Sequence, residues 1–466
     1  MSETIAGKPA FGDRYYKYRR IMDILKISPE EFEQLQRAFM GGHTHANHNY
    51  VRKILHDVAS YDFTSSYPSV MVLEKFPMSP AFKVDHPVSQ EEFSRLVKDK
   101  CCMFDLELWD VFPKLHWEHP LSRSKCQVAE NYVLDNGRIV MADHIRTTCT
   151  EQDLKTYLEF YTWGKYEISN LVYYEKQYLP HNFVMSILEL YKRKTVLKGV
   201  EGEELNYMIS KNMANAAYGM IVTNPVRETI EYLEHEYVTT KPELIEAIEQ
   251  YNNSKKRFLF FPWGVWVTAY ARRNLFTGIK EVGNDFIYSD TDSIKLLNHS
   301  AHKQYFDDYN DNIMKKINDA AAYHKIDPRE FSPLNRNGEP QTIGLWDFEG
   351  VYDDFKTLGA KRYLVRKGDR HTLTLAGANK TKAMKWLLET GHPFENFDDQ
   401  MEIPPAHSGR LTLTYIDYPT EGDLVDYTGI PYHYKELSSV HMENSEYTLS
   451  MSDAFLKYLK GEIELE

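Results

Sequence analysis

Residues 285–297 constrain the fold more tightly than any other stretch. Residues 285–288 and 294–297 are short and rich in β-formers, and they flank the polar run Ser289-Asp290-Thr291-Asp292-Ser293. Two strands around so short a turn form a hairpin, so the chain carries antiparallel sheet. At the hairpin tip Asp290 and Asp292 stand two residues apart, where period-two geometry can aim both carboxylates the same way. Mg²⁺ prefers hard oxygen ligands and keeps positions open for phosphate and water, so paired aspartates suit it better than His or Cys. A turn rich in Asp and Ser is also commonly just a solvated hairpin, so the pair acquires meaning only from its surroundings.

Those surroundings are legible in two other places. Asp62 closes a short β-rich run over residues 58–63 and is followed by Phe63-Thr64-Ser65-Ser66-Tyr67-Pro68-Ser69. This reads as strand, loop and helix start, where unpaired amides and the helix dipole favour phosphate oxygens. Residues 182–197 and 203–218 are helical patterns joined by Gly199-Val200-Glu201-Gly202, the outline of an αα-hairpin. On the second helix Lys211, Asn215 and Tyr218 share a face, with Gly219 read as its end. With Lys194 on the opposing helix, two cations could face a triphosphate; the bland alternative is an ordinary surface lysine above packed residues.

The rest of the chain sets bounds. At 466 residues it exceeds the size of a single growing core, and two to four subdomains are expected. The net charge of −13 argues weakly against a nucleic-acid partner, yet residues 361–385 hold eight Lys or Arg against only Asp369, a local basic patch. Cys101, Cys102, Cys126 and Cys149 lack a metal or disulfide spacing and read as reduced core thiols. Neither a signal peptide nor a membrane-spanning apolar run is visible, which implies a cytoplasmic protein and no membrane partner. Residues 15–27 and 29–39 read as helices, with Ser28, Pro29 and Glu31 forming a capping box. Residues 100–180 read as a β-rich insertion with a turn at Asp135-Asn136-Gly137. His43, His45 and His48 follow Gly42 on an expected loop. Their spacing lacks a fourth zinc ligand, so contact with single-stranded bases is the expected role.

Taken together, the three central segments resemble motifs A, B and C of family B DNA polymerases, with flanks similar to the protein-primed bacteriophage subgroup. The family's D-x-x-S-L-Y-P appears as Asp62 to Pro68, with Ser66 in place of Leu. Its K-x-x-x-N-S-x-Y-G appears as Lys211 to Gly219, with Ala216 replacing Ser, and its Y-x-D-T-D-S is matched in full at Tyr288 to Ser293. Phe39-Met40-Gly41-Gly42 resembles the subgroup's Y-x-G-G element, and Lys361-Arg362-Tyr363 its K-x-Y element.

The resemblance implies an α+β, right-hand polymerase architecture: a palm with antiparallel sheet, helical-hairpin fingers and a small thumb. It implies a helical lead-in with the Gly-Gly element over 1–50, palm over 51–110 and 257–370, and fingers over 181–220. Insertions fall at 111–180 and 221–256, with a thumb at 371–420 and a tail at 421–466. It further implies template-directed addition of dNMP to a primer 3′-hydroxyl, with two Mg²⁺, or Mn²⁺ as a substitute. Asp62, Asp290, Asp292 and the Phe63 carbonyl would form the metal centre. Ser65, Ser66, Tyr67, Lys194, Lys198, Lys211, Asn215 and Tyr218 would hold the nucleotide, with Tyr67 as sugar gate and Arg193 as a helper. Gly41, Gly42, Lys361, Tyr363, Arg366, Lys367, Lys380 and Lys382 would meet primer-template DNA.

The implied partners are primer-template DNA, dNTPs, a priming (terminal) protein docked on the 111–180 insertion, and a separate exonuclease chain. Only 61 residues precede Asp62, too few for the family's 3′-to-5′ exonuclease domain, so synthesis without intrinsic proofreading is expected, in phage or mobile-element replication in a host cytoplasm. Two other readings compete: a non-catalytic primer-template-binding remnant, and a D-x-D glycosyltransferase, which leaves Lys211 and Lys361 unexplained.

Overall fold

The computed structural model describes residues 13–233, 236–418, 422–425, 427–434 and 437–462. The chain divides into two compact units. One is centred on Ala59–Gly350 with the segment ending at His48, and the other is formed by Asn49–Val58 and Val351–Lys460.

The first unit begins with helices Asp13–Ile24 and Pro29–Ala38. Between them the Glu31 amide donates to Ser28 Oγ at 3.1 Å and the Ser28 amide donates to the Glu31 carboxylate at 3.3 Å, the capping box read from the sequence. Its sheet lays Thr44–Ala46, Phe286–Asp290, Ser293–Leu296 and residues 59–63 of the strand Leu55–Phe63 side by side, all antiparallel. The helical hairpin is present as His181–Leu197 and Glu204–Ile221. The second helix runs past Gly219 rather than ending there; one interior glycine costs a helix only about 1 kcal/mol.

The centre of this unit is a helix that sequence periodicity did not reveal. Phe261–Val282 is buried nearly all round, with Trp263, Trp266 and Tyr270 enclosed, so it shows no amphipathic stripe. Its two tryptophans satisfy their indole N–H groups on the Pro77 carbonyl at 2.8 Å and the Glu151 carboxylate at 2.9 Å. Glycines allow its close approach to its neighbours. A Cβ on Gly264 would lie 2.3 Å from Val222 Cγ1, and one on Gly278 would lie 2.7 Å from Ile294 Cδ1 on the Asp290 hairpin.

The first insertion is an antiparallel sheet in which Cys101–Pro113 pairs with both Lys165–Tyr174 and Arg138–Thr150, and Arg138–Thr150 pairs with Cys126–Asp135. Asn136 and Gly137, both at positive φ, make its hairpin turn. The second insertion adds a hairpin, Thr229–Leu233 with Glu236–Thr240, ahead of the expected short helix at Leu244–Asn253. All four cysteines are free and buried.

In the second unit, residues 351–359 of the strand Trp346–Gly359 form a meander with Arg362–Lys367 and Arg370–Leu375, followed by helix Lys380–Glu389 and the hairpin Arg410–Tyr418 with Leu437–Ser445. Among the described residues, no helix is long and apolar enough to cross a membrane.

Candidate active site

Register places the carboxylates. Ser293 pairs with Asp290 on one side and with Asp62 on the other, so Asp62 and Asp290 share a face of the sheet across one intervening strand. Asp292 sits in the turn between the hairpin strands. The turn is sharp: the Asp292 amide donates to the Asp290 carbonyl at 2.6 Å across Thr291, whose φ is 61°. A β-branched residue rarely adopts that conformation, and its strain is of the order of 1–3 kcal/mol. The surroundings fix it, since the Thr291 amide donates to the His43 carbonyl at 2.6 Å and the Phe63 amide to the Asp292 carbonyl at 2.8 Å.

A cavity of about 460 Å³ is lined by Asp62, Phe63 and Asp292 together with all eight of the nucleotide residues expected from sequence. Asp290 is not among its lining residues. Its Oδ1 accepts from Thr44 Oγ1 at 3.0 Å and Thr291 Oγ1 at 3.2 Å, which makes it a brace for the turn. Ser65 precedes helix Ser66–Leu73 in the left-handed conformation and caps nothing with its side chain. Its hydroxyl instead accepts from Lys194 Nζ at 2.8 Å. The rings of Tyr67 and Tyr218 stand 4.6 Å apart.

Electrostatically the cavity is split. Burial, with Asp292 and Glu349 nearby, pushes the Asp62 carboxyl up to about 7. Burial and then the charges of Lys211 and Lys198 hold Lys194 below the ordinary lysine range, partly countered by Asp62 and Asp292. Crowded carboxylates on one side and crowded ammonium groups on the other are each relieved by a ligand of opposite charge. Divalent cations at the aspartates and a polyanion at the lysines satisfy both, and the hard-oxygen donors Asp62, Asp292 and the Phe63 carbonyl fit the former.

Gly42 packs against this site: a Cβ there would lie 2.6 Å from Thr291 Cγ2 and 2.9 Å from the Tyr67 hydroxyl, whereas one on Gly41 would meet nothing within 4 Å. Buried Arg272 fixes the loop by donating to the Met40 and Gly41 carbonyls and pairing with Asp153 at 2.6 Å. The histidines after Gly42 depart from expectation. Thr44–Ala46 is a strand, and His43 and His45 are each 1% exposed, so neither can stack on single-stranded bases. Both face Glu118, while Thr44 between them reaches Asp290.

The matches to known proteins agree with this arrangement. Residues 9–312 match the family described as DNA polymerase type B, organellar and viral. The chain belongs to that family. Among its curated relatives, the DNA polymerase of Bacillus phage B103 is 23% identical over 342 residues, 73% of this chain and 50% of that protein. That of Bacillus phage phi29 is 22% identical over 351 residues, 75% of this chain and 52% of the relative. This type B family member therefore spans about half the length of those relatives. In fold it is similar to phi29 DNA polymerase complexed with primer-template DNA and incoming nucleotide substrates, with a TM-score of 0.60 at 16% identity, covering 94% of this chain and 65% of the other.

Several residues of the family member's site carried no sequence signal. Tyr207 lines the same cavity. An adjoining cavity of about 410 Å³ shares Asp62, Lys194 and Lys198 and extends to Arg336, Asp347 and Glu349. Arg336 donates to the Gly199 carbonyl at the tip of the helical hairpin, and Lys295 donates to Ser60 Oγ at 2.6 Å, which in turn donates to Glu349 at 2.6 Å. Arg336, Asp347 and Glu349 lie far from the aspartates on segments without a recognisable pattern, whereas Ser60, Tyr207 and Lys295 sit on recognised strands and helix but outside the motif positions.

The expected DNA-contacting residues Lys361, Tyr363, Arg366, Lys367, Lys380 and Lys382 belong to the second unit. Tyr363 stacks on Phe355 at 5.6 Å. Arg366 is engaged by Asp354 at 2.5 Å and Asp353 at 3.6 Å. Lys361, Lys367, Lys380 and Lys382 are exposed.

Proposed function

We propose that this chain carries out template-directed DNA synthesis at the Asp62 cavity. The observation that carries the reading is the convergence, in one cavity, of a strand carboxylate, Asp62, and a hairpin-turn carboxylate, Asp292, with Lys194, Lys198 and Lys211 of the helical hairpin. Two Mg²⁺ ions held by Asp62, Asp292 and the Phe63 carbonyl would supply Lewis-acid activation of the primer 3′-hydroxyl and neutralise the leaving pyrophosphate.

The protein's own part is positioning and charge. The lysines bind the triphosphate, assisted by the amides at Ser65 and Ser66 in the first turn of helix Ser66–Leu73. The Tyr67 ring fills the space a ribose 2′-hydroxyl would need. Asn215 and Tyr218, on the same helix face as Lys211, shape the base-pair pocket. Gly41, Gly42 and the basic residues of the second unit, Lys361, Tyr363, Arg366, Lys367, Lys380 and Lys382, contact primer-template DNA without reading its sequence. The 111–180 insertion is the docking region for a priming protein.

A labelled primer on four templates that differ only in the first unpaired base tests the reading, each with one dNTP and Mg²⁺. Extension only by the complementary dNTP is expected, and no extension with any of them would overturn it. Tyr67→Ala should lower discrimination against ribonucleotides about a hundredfold. Synthesis without proofreading belongs to the same reading, and trimming of a mismatched primer by the pure protein would contradict that part.

A further inference from the structure

Outside the aspartate cavity, the chain buries a second set of donors that the synthesis reading does not use. His43, His45 and Glu118 are buried, and one ligand atom from each lies within 4.8 Å of the others; they are the only such group of three among the described residues. His45 Nδ1 lies 3.0 Å from Glu118 Oε1, and His43 Nε2 lies 3.4 Å from Glu118 Oε2. Donors bound to one ion at about 2.0–2.1 Å in a tetrahedral site stand about 3.3 Å from one another, close to the two histidine–carboxylate distances.

The hydrogen bonding around these donors identifies what they face. His45 Nε2 is 3.1 Å from the Asp135 carbonyl oxygen, which can only accept, so Nε2 carries the proton. Its Nδ1 faces the Glu118 carboxylate at contact distance, a place for a positive centre, whether a proton or a metal ion. Neither ring nitrogen of His43 makes a hydrogen bond of good geometry. The Asp135 carboxylate lies on the Nε2 side of His45, at 3.7 Å, while Glu118 faces both rings. The His119 amide donates to Glu118 Oε1 at 2.8 Å and orients it. A ligating imidazole whose far nitrogen donates to a carbonyl, beside an oriented carboxylate, is the usual support of a bound metal.

We propose that His43, His45 and Glu118 form a metal site, separate from the aspartate cavity, that holds a divalent transition ion of the zinc class. Two imidazoles and one carboxylate are the donor set of such ions, with water in the fourth position. The site ties the first insertion, through Glu118, to the strand Thr44–Ala46. That strand carries Thr44, which braces Asp290, and it follows His43, whose carbonyl accepts the Thr291 amide. Its role is to hold the catalytic turn in its strained form.

The 466-residue chain, purified without chelator or added metal, is analysed for bound metal by plasma mass spectrometry. Chelator-stripped protein is then titrated with Co²⁺ alone while visible absorption is followed. About one equivalent of ion per chain and tetrahedral ligand-field bands are expected, with occupancy reduced at least about tenfold in Glu118→Gln. His43→Asn gives a second reading should Glu118→Gln fold poorly by circular dichroism, and an Asp62→Asn, Asp292→Asn double variant should keep the ion. Folded wild-type protein with neither a stoichiometric ion nor Co²⁺ bands would overturn the proposal and leave a proton-bridged hydrogen-bond network. Retention of the ion by both site variants, or its loss from the double aspartate variant, would also overturn it.

Discussion

Thr44 reaches Asp290 on one side of its strand, while on the other His43 and His45 turn to Glu118. The two regions that meet at this strand handle charge in opposite ways. The aspartate cavity is open, lined by oxygen donors and lysines, and its charges are left crowded for ligands to relieve. The histidine cluster is closed, its imidazoles and carboxylate buried and facing one another at contact distance. Open sites should therefore spend little of the protein's stability and much of its activity when altered, and closed ones the reverse.

The largest expected effect breaks the closed side. His45→Ala leaves the buried Glu118 carboxylate without its partner, and a stability loss of about 3–5 kcal/mol is expected in urea denaturation; a change under 1 kcal/mol would mean that the His45–Glu118 contact does not hold the cluster together. Next comes Lys211→Ala on the open side. Lys211 is exposed, so the melting temperature should hold while the rate of primer extension falls about a hundredfold. A drop in melting temperature with unchanged extension would invert the contrast.

Gly42→Ala sits between the two regimes. Its Cβ would meet Thr291 and Tyr67 below contact distance, so about 1–3 kcal/mol of stability should be lost, and extension should fall with it; a neutral result on both would show that the turn can yield. The last effect is a slope. Asp62 keeps its proton up to about 7 in the folded chain but ionises near 3.9 when unfolded. Folded protein thus binds more protons, and this group's contribution to stability falls as pH rises from about 4 to about 7. Thermal melts with chelator should show that decline, and it should flatten in Asp62→Asn and on adding Mg²⁺.

How far the sequence disclosed all this depends on the range of each contact. The Asp290 hairpin, the Asp62 strand and loop, the helical hairpin and the Ser28 capping box are local patterns, and each is present in the structure. Their convergence on one cavity needed the polymerase resemblance, since Lys194 and Asp62 are far apart in the chain. The helix Phe261–Val282 was hidden because its first half, residues 261–271, is buried on every face. Glu118 could not be paired with His43 and His45 across more than 70 residues, so the histidines read as a polar loop beside a template rather than as buried donors. Asp290, equal to Asp292 in the motif, ends a strand and is engaged by Thr44, which strand pairing brings alongside.

The central claim is that the Asp62 cavity is where DNA is made, and Asp292→Ala tests it most directly. Single-turnover extension of a labelled primer with Mg²⁺ and the complementary dNTP should fall by about a thousandfold or more, while the variant still binds primer-template in a gel-shift titration and melts as the unaltered chain does. Extension at the unaltered rate by a folded Asp292→Ala protein would contradict the account.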